Sequence, residues 1–321
     1  MRLEQCFRYR SSWMGFAILW IMFFHFNPAI DCEVLRIFKQ LGYGGVDLFI
    51  FASGIGCRYS LEKNPEPLAF LKRRAARLIP TWWTFLPAWW ILRDRQGLEL
   101  PWRAFFGNAF CVQAFVDWHF CFNWYISALP FLYVLAPYFH SLTKDVSARR
   151  FALLEIALLA LTVPFINQDY LVLMTRLPIF VAGFYVAAIA GRGVMIDRRA
   201  AIGLSVATAI GFAIPIGCLK SLPELTLSIY GLWWYPFLLI TPGLCFGLSF
   251  ALSRLPHIDR MLATLGGLSF EIYLVHILLL NIANHQSQLD NIHRLALLPL
   301  ILIGSFTLRH ITNLITKGSS A

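Results

Sequence analysis

Charge is scarce in this chain. Only 14% of its 321 residues are Asp, Glu, Lys or Arg, where a soluble domain carries roughly a quarter. There are no CxxC pairs and no His/Cys groups at metal-ligand spacing, so the seven cysteines imply no metal site. The short alternating segments of a membrane β-barrel are missing. No small-residue cleavage site follows the first apolar run, so no removable signal peptide is expected. Loops are short, which leaves no room for a second soluble domain. What remains is 58% hydrophobic, with a mean hydropathy of +0.64. Its apolar runs approach the ~20 residues that cross a bilayer. The expectation is an all-α polytopic membrane protein, one transmembrane domain over residues 1–321.

The apolar runs predict ten spans, at about 13–28, 43–60, 78–92, 121–140, 151–167, 175–191, 200–218, 228–252, 262–283 and 295–316. With the N-terminus inside, nineteen of the 27 Lys and Arg residues fall on the inner side. That asymmetry predicts an N-in, C-in topology. The net charge of +10 therefore reflects topology and membrane lipids, and no nucleic-acid partner is expected. Cys57, Cys218 and Cys245 read as small apolar fillers in spans. Cys32, Cys111 and Cys121 fall towards the outer side, where a Cys111–Cys121 bridge is possible.

The few ionisable groups inside apolar segments are the best pointers to chemistry, because each is costly in hydrocarbon. His25 is the one such group in the first span. Counted from Trp13, it lies roughly 18 Å in, beyond the midplane of a ~30 Å core. Asp47 follows the glycines Gly44 and Gly45, which permit close helix approach. It either caps a frayed helix start or orients a histidine, as carboxylates commonly do. Lys72, Arg73, Arg74 and Arg77 form a basic cluster. It is either an ordinary topology and lipid-headgroup signal or a phosphate clamp on one helical side. Further along stand Asn123-Trp124, then Arg176 at the opening of a span, where snorkelling is the plain alternative. Glu271 and His276 are intramembrane and need partners, although His276 reads equally well as a satisfied core histidine. The longest non-spanning stretch, about 93–120, mixes charges and aromatics. It suits an interfacial aromatic belt or a flap over a cavity.

In this order the elements resemble the acyltransferase 3 family of integral membrane acyltransferases, over essentially the whole chain. The resemblance rests on His25, on Gly45-Val46-Asp47-Leu48-Phe49 followed by Ser53-Gly54, and on Phe70-x-x-Arg73-Arg74-x-x-Arg77-x-x-Pro80. Trp124, Tyr133 and Pro137, then Ser269, Ile272, Tyr273, Leu274 and His276, complete it. It implies an O-acetyltransferase-type enzyme in the cytoplasmic membrane of a bacterium. Such an enzyme moves an acyl group, usually acetyl, from cytoplasmic acyl-CoA to a hydroxyl of a surface polysaccharide or lipid-linked glycan. On this reading His25 and Asp47 are catalytic, and Arg73, Arg74, Arg77 and Lys72 hold the donor. Arg10, Ser53, Trp118, His119, Asn123, Trp124, Arg176, Tyr273 and His276 are substrate-binding candidates, with Asp31, Glu33 and Asp117 nearby on the outer side. No metal is implied. The imidazole would serve as general base or as acyl-carrying nucleophile.

Three positions depart from the family pattern. Met14 stands eleven residues before His25, where an arginine is usual, and only about 20° from it around the helix. Leu129 replaces a glutamate, and Ile55 replaces an aromatic residue. Arg10, about 60° from His25 and one turn below Met14, substitutes imperfectly. A transporter or flippase of glycan or lipid-linked precursor is the rival reading, favoured by prolines and buried ionisable groups, but no inverted repeat is evident.

Overall fold

The computed structural model describes residues 2–26, 30–94, 101–144, 147–162, 171–221, 234–285 and 296–318. These residues are helical apart from their connections and one isolated bridge between Arg2 and Met195. The main helices are α1 (Arg10–His25), α2 (Glu33–Gln40), α3 (Gly45–Lys63), α4 (Pro67–Asp94), α5 (Trp102–Ala109), α6 (Trp124–Thr143) and α7 (Ala148–Thr162). They continue as α8 (Leu177–Ala190), α9 (Arg198–Ser221), α10 (Phe237–Leu252), α11 (Pro256–Gly267), α12 (Ser269–His285) and α13 (Leu297–Gly318).

Helices occupy the described part of each of the ten expected intervals, but not all of them qualify as spans. Four segments are long and apolar enough to cross a membrane by length and composition: Trp124–Thr143, Val172–Ala190, Arg198–Lys220 and Leu297–Thr316. The bent pair α11–α12 makes five if counted as one span, although its halves turn through 69°. The expected spans 13–28, 151–167 and 228–252 run partly outside the described residues. Helix α1 holds 16 residues, which is short for a crossing. In α3 the shortfall comes from charge, with Asp47, Arg58, Glu62 and Lys63, and in α4 from the Trp, Pro and Thr residues that lower the hydropathy past the basic cluster.

Three local devices position the site. Helices α3 and α8 touch through Gly54 and Gly183, where a Cβ on either would collide with backbone of the other helix, the Phe180 and Phe51 carbonyl oxygens respectively. That contact brings Asp47 and Arg176 to one level. Helix α11 crosses α1, held where Ser12 Oγ donates to Asp259 Oδ1 at 2.5 Å, and from there the chain turns into α12. The third device is Asn108. Its amide nitrogen donates to the Ala104 and Phe120 carbonyls, and its side-chain oxygen accepts from Phe122 N–H. This pins the 101–122 segment against the start of α6. In this segment Trp102, Phe106 and Phe110 are exposed apolar residues, while Trp118 lines a cavity. Helix α2, with Val34, Leu35 and Phe38 exposed, has the character of an interfacial helix. All seven cysteines are unbridged, Cys111 and Cys121 included.

Candidate active site

His25 ends α1, half-buried, and its partner comes from 251 positions away. His25 Nδ1 stands 3.0 Å from His276 Nε2. His276 is fully buried, and its Nδ1 lies 2.9 Å from the Ile272 carbonyl oxygen. A carbonyl only accepts, so with neutral rings His276 Nδ1 carries the proton and Nε2 is an acceptor. His25 Nδ1–H must then donate to it, which leaves the lone pair on His25 Nε2. The bond that one ring nitrogen makes fixes the chemistry of the other.

Asp47 does not meet His25. Its carboxylate faces Arg176, with Nε 3.4 Å from Oδ1 and a terminal nitrogen 3.5 Å from Oδ2. Both residues are 1% exposed. The pair is buried but loose. Arg176 spends another nitrogen on the Val172 carbonyl and Thr175 Oγ1, each at 3.2 Å. Its guanidinium lies over the rings of Trp124 (5.1 Å) and Trp234 (4.5 Å), an arrangement that adds to the stability of a desolvated cation. Of the readings open for Asp47, a histidine partner is not what the carboxylate meets; it faces Arg176, whose buried guanidinium does not snorkel.

His25, Arg176, Trp118, Asn123, Trp124 and Tyr273 share the wall of a cavity of about 420 Å³ at the His25 end of the bundle. Towards the other end of α1 lies a second cavity, about 180 Å³, with Arg10, Ser53, Arg74 and Arg77 in its wall. Among the described residues, Tyr273 alone lines both. Its hydroxyl donates to Asn123 Oδ1 at 2.6 Å, the same oxygen that caps α6 by accepting from Tyr125 N–H at 2.9 Å. The Tyr273 ring sits 5.0 Å from that of Tyr125. One side chain thus separates an arginine-lined chamber from a histidine-lined one.

The expected basic cluster divides. Arg74 lies against Phe70 and Tyr133 and donates to the Gly56 carbonyl at 2.8 Å, and Arg77 lines the arginine-lined chamber beside it. Arg73 turns away, to the Ser60 and Asn64 carbonyls at 3.4 Å. Lys72 is exposed and lines neither chamber. His119 is likewise exposed outside both, and Asp117 caps the turn that holds it, accepting from His119 N–H. Asp31 is exposed, and Glu33 pairs with Lys220 at 2.9 Å, which holds its carboxyl below the usual range. Sequence reasoning missed Trp234, Tyr125 and Arg309. Trp234 stands in a run of aromatics that gives no cue to which one faces inward.

Fold and site together define a helical membrane protein with two chambers that meet at Tyr273 and a histidine pair at the wall of one of them. The family model described as an acyltransferase domain, acyltransferase 3, matches residues 15–310, and the chain belongs to this family. The match takes in every wall residue of the two chambers except Arg10 and Met14. No curated protein and no solved structure matches the chain. The protein is a membrane acyltransferase.

Proposed function

We propose that the protein moves an acetyl-sized acyl group from acyl-CoA to a hydroxyl of a surface polysaccharide or lipid-linked glycan. It does so across the cytoplasmic membrane, with ten spans and both termini inside. The observation that carries this reading is the pair of chambers meeting at Tyr273, one rich in arginine and one containing His25. Guanidinium groups bind phosphate bidentately, so the chamber of Arg10, Arg74 and Arg77 suits the donor. The outer chamber suits a sugar, with the flat rings of Trp118 and Trp124 and the polar groups of Asn123 and Arg176. The cation asymmetry supports a donor chamber on the inner side.

In the reaction, His25 Nε2 takes the proton of the acceptor hydroxyl as its oxygen attacks the thioester carbonyl carbon. The tetrahedral oxyanion collapses, the carbon–sulfur bond breaks, and the thiolate takes the proton back to leave as the thiol. His276 keeps the His25 lone pair on the correct nitrogen throughout. A positioned general base of this kind contributes ~10²–10⁴-fold. Arg176, fixed by Asp47, is a positioning group of the acceptor chamber.

Sealed vesicles of known orientation, given labelled acetyl-CoA and a lipid-linked glycan extract, test the reading. Label should reach glycan only when donor is on the cytoplasmic face and acceptor on the other. Modification of acceptor supplied on the cytoplasmic face alone would refute cross-membrane transfer while leaving the family untouched.

A further inference from the structure

Helix α13 is long and apolar enough to cross a membrane, yet one face of it is polar. Arg309, Thr312, Asn313 and Thr316 fall at i, i+3, i+4 and i+7 and line a groove of about 450 Å³ against Arg77 and Thr81 of α4. Polar side chains along one face of a candidate span mark function or an internal cavity. Arg309 is engaged by a bidentate pair with Glu271, at 3.1 and 3.0 Å, and by the Gly267 carbonyl. These contacts staple the bend between α11 and α12. A staple accounts for Arg309 but not for the rest of the stripe. Thr312 is only 6% exposed, and its hydroxyl has no hydrogen-bond partner. A buried hydroxyl without a partner costs ~1–3 kcal/mol, so it awaits something. Arg77, Thr81, Glu271 and Arg309 line both this groove and the inner chamber, so the two spaces adjoin.

We propose that this groove holds the phosphorylated nucleotide end of the acyl donor, with Arg77 and Arg309 as its cations and Thr312 and Asn313 as its hydrogen-bond partners. The proposal rests on the acyl-CoA reading above. The inner chamber, at about 180 Å³, suits a slender thioester arm, and the adjoining groove offers a nucleotide more room. Ligand sites of that size begin at ~300 Å³, which the groove exceeds. Glu271 is the resident anion. Arriving phosphate displaces it from Arg309, so an empty groove keeps its cation paired and a filled one keeps it satisfied.

The test is calorimetric titration of the purified full-length protein with CoA, with adenosine 3′,5′-bisphosphate and with pantetheine. Arg309→Gln should weaken CoA and the bisphosphate by about tenfold or more, the worth of one charge-assisted contact. Thr312→Val, isosteric and outside the ion pair, should weaken both by about threefold and decides the matter should Arg309→Gln fail to fold. Glu271→Gln should bind CoA at least as tightly as wild type, and no variant should alter pantetheine. CoA affinities within twofold of wild type for both Arg309→Gln and Thr312→Val would overturn the proposal and leave the donor reading standing. So would unchanged CoA binding accompanied by lost phosphatidylglycerol binding, which would make the groove a headgroup site. A wild-type protein that binds no CoA at all would remove the donor reading and this proposal with it.

Discussion

Replacing His276 should damage catalysis without damaging the fold, and the hydrogen-bond geometry sets the size of the effect. His276 Nε2 is the acceptor for His25 Nδ1 at 3.0 Å. As His25 takes the acceptor's proton it becomes cationic, so this bond turns charge-assisted just when the barrier is crossed. A hydrogen bond to a charged group is worth ~1.5–3 kcal/mol, which is about 10- to 150-fold in rate. His276→Leu removes it and frees His25 to take the other tautomer. The Ile272 carbonyl that His276 also meets lies within the first turns of α12, where the helix ladder still satisfies it, so the stability loss should be near 1 kcal/mol. His276→Gln places a side-chain carbonyl near the same spot and should recover part of the rate. The assay is labelled acetyl transfer at matched protein levels, with kcat and donor KM measured separately. The expected order of kcat is wild type, His276→Gln, His276→Leu and then His25→Ala, the last down at least 10²-fold, with donor KM unchanged. If His276→Leu keeps more than half of wild-type kcat, or if Gln is no better than Leu, the pair is only core packing.

The arginines separate by where they point. Arg74→Lys and Arg77→Lys should raise the KM for acyl-CoA, because Lys lacks the bidentate fork. Arg73→Lys, whose guanidinium meets the Ser60 and Asn64 carbonyls, should leave that KM alone. An equal rise in all three would show that the chamber does not select among them. Gly183→Leu should wedge α3 from α8 and part Asp47 from Arg176, costing ~1–3 kcal/mol as other overpacked contacts do. Gly203→Ala on α9, where an added Cβ meets nothing within 4 Å, should hold or raise the melting temperature. A Gly183→Leu protein that melts with wild type would refute the close-contact reading.

Legibility in the sequence tracked locality. His25 stood out because nothing else in its run ionises, a property visible in sixteen consecutive residues. His276, its partner, could not be assigned, since the relative depth of two helices 251 residues apart is a packing outcome that no local pattern encodes. Asp47 and Arg176 were both noticed, but their pairing across 129 positions was not legible for the same reason. Helix ends went astray in a characteristic way. The expected span at 78–92 began where apolarity began, but α4 starts at Pro67, because Lys, Arg and Ala are good helix formers and carry the helix through the basic cluster. Conversely, the run at 262–283 reads as one span, yet the chain turns at Leu268, after Gly266-Gly267, where α11 ends. A glycine pair near a helix end is a stop signal, and apolar continuity masked it.

The departures from the family pattern gain meaning from where they lie. The pattern puts an arginine at position 14 and a glutamate at 129, and this chain has Met14 and Leu129. Both line the inner chamber, so a cation and a carboxylate are missing from one wall together. Losing only one would leave a buried charge unpaired, at ~3–5 kcal/mol. Losing both leaves an apolar wall, compatible with the methylenes of a thioester arm. The cationic character of the chamber persists through Arg10, one turn nearer the start of α1, whose guanidinium packs so close to Gly56 that an added Cβ there would lie 2.9 Å from it. Glycine at 56 is thus what gives Arg10 its place. Met14 lies eleven residues before His25, about 16 Å along the helix, and the histidine pair is built from other contacts altogether. These two departures therefore fall in the Arg10 chamber, which the proposed function gives to the donor, and not at the His25–His276 pair.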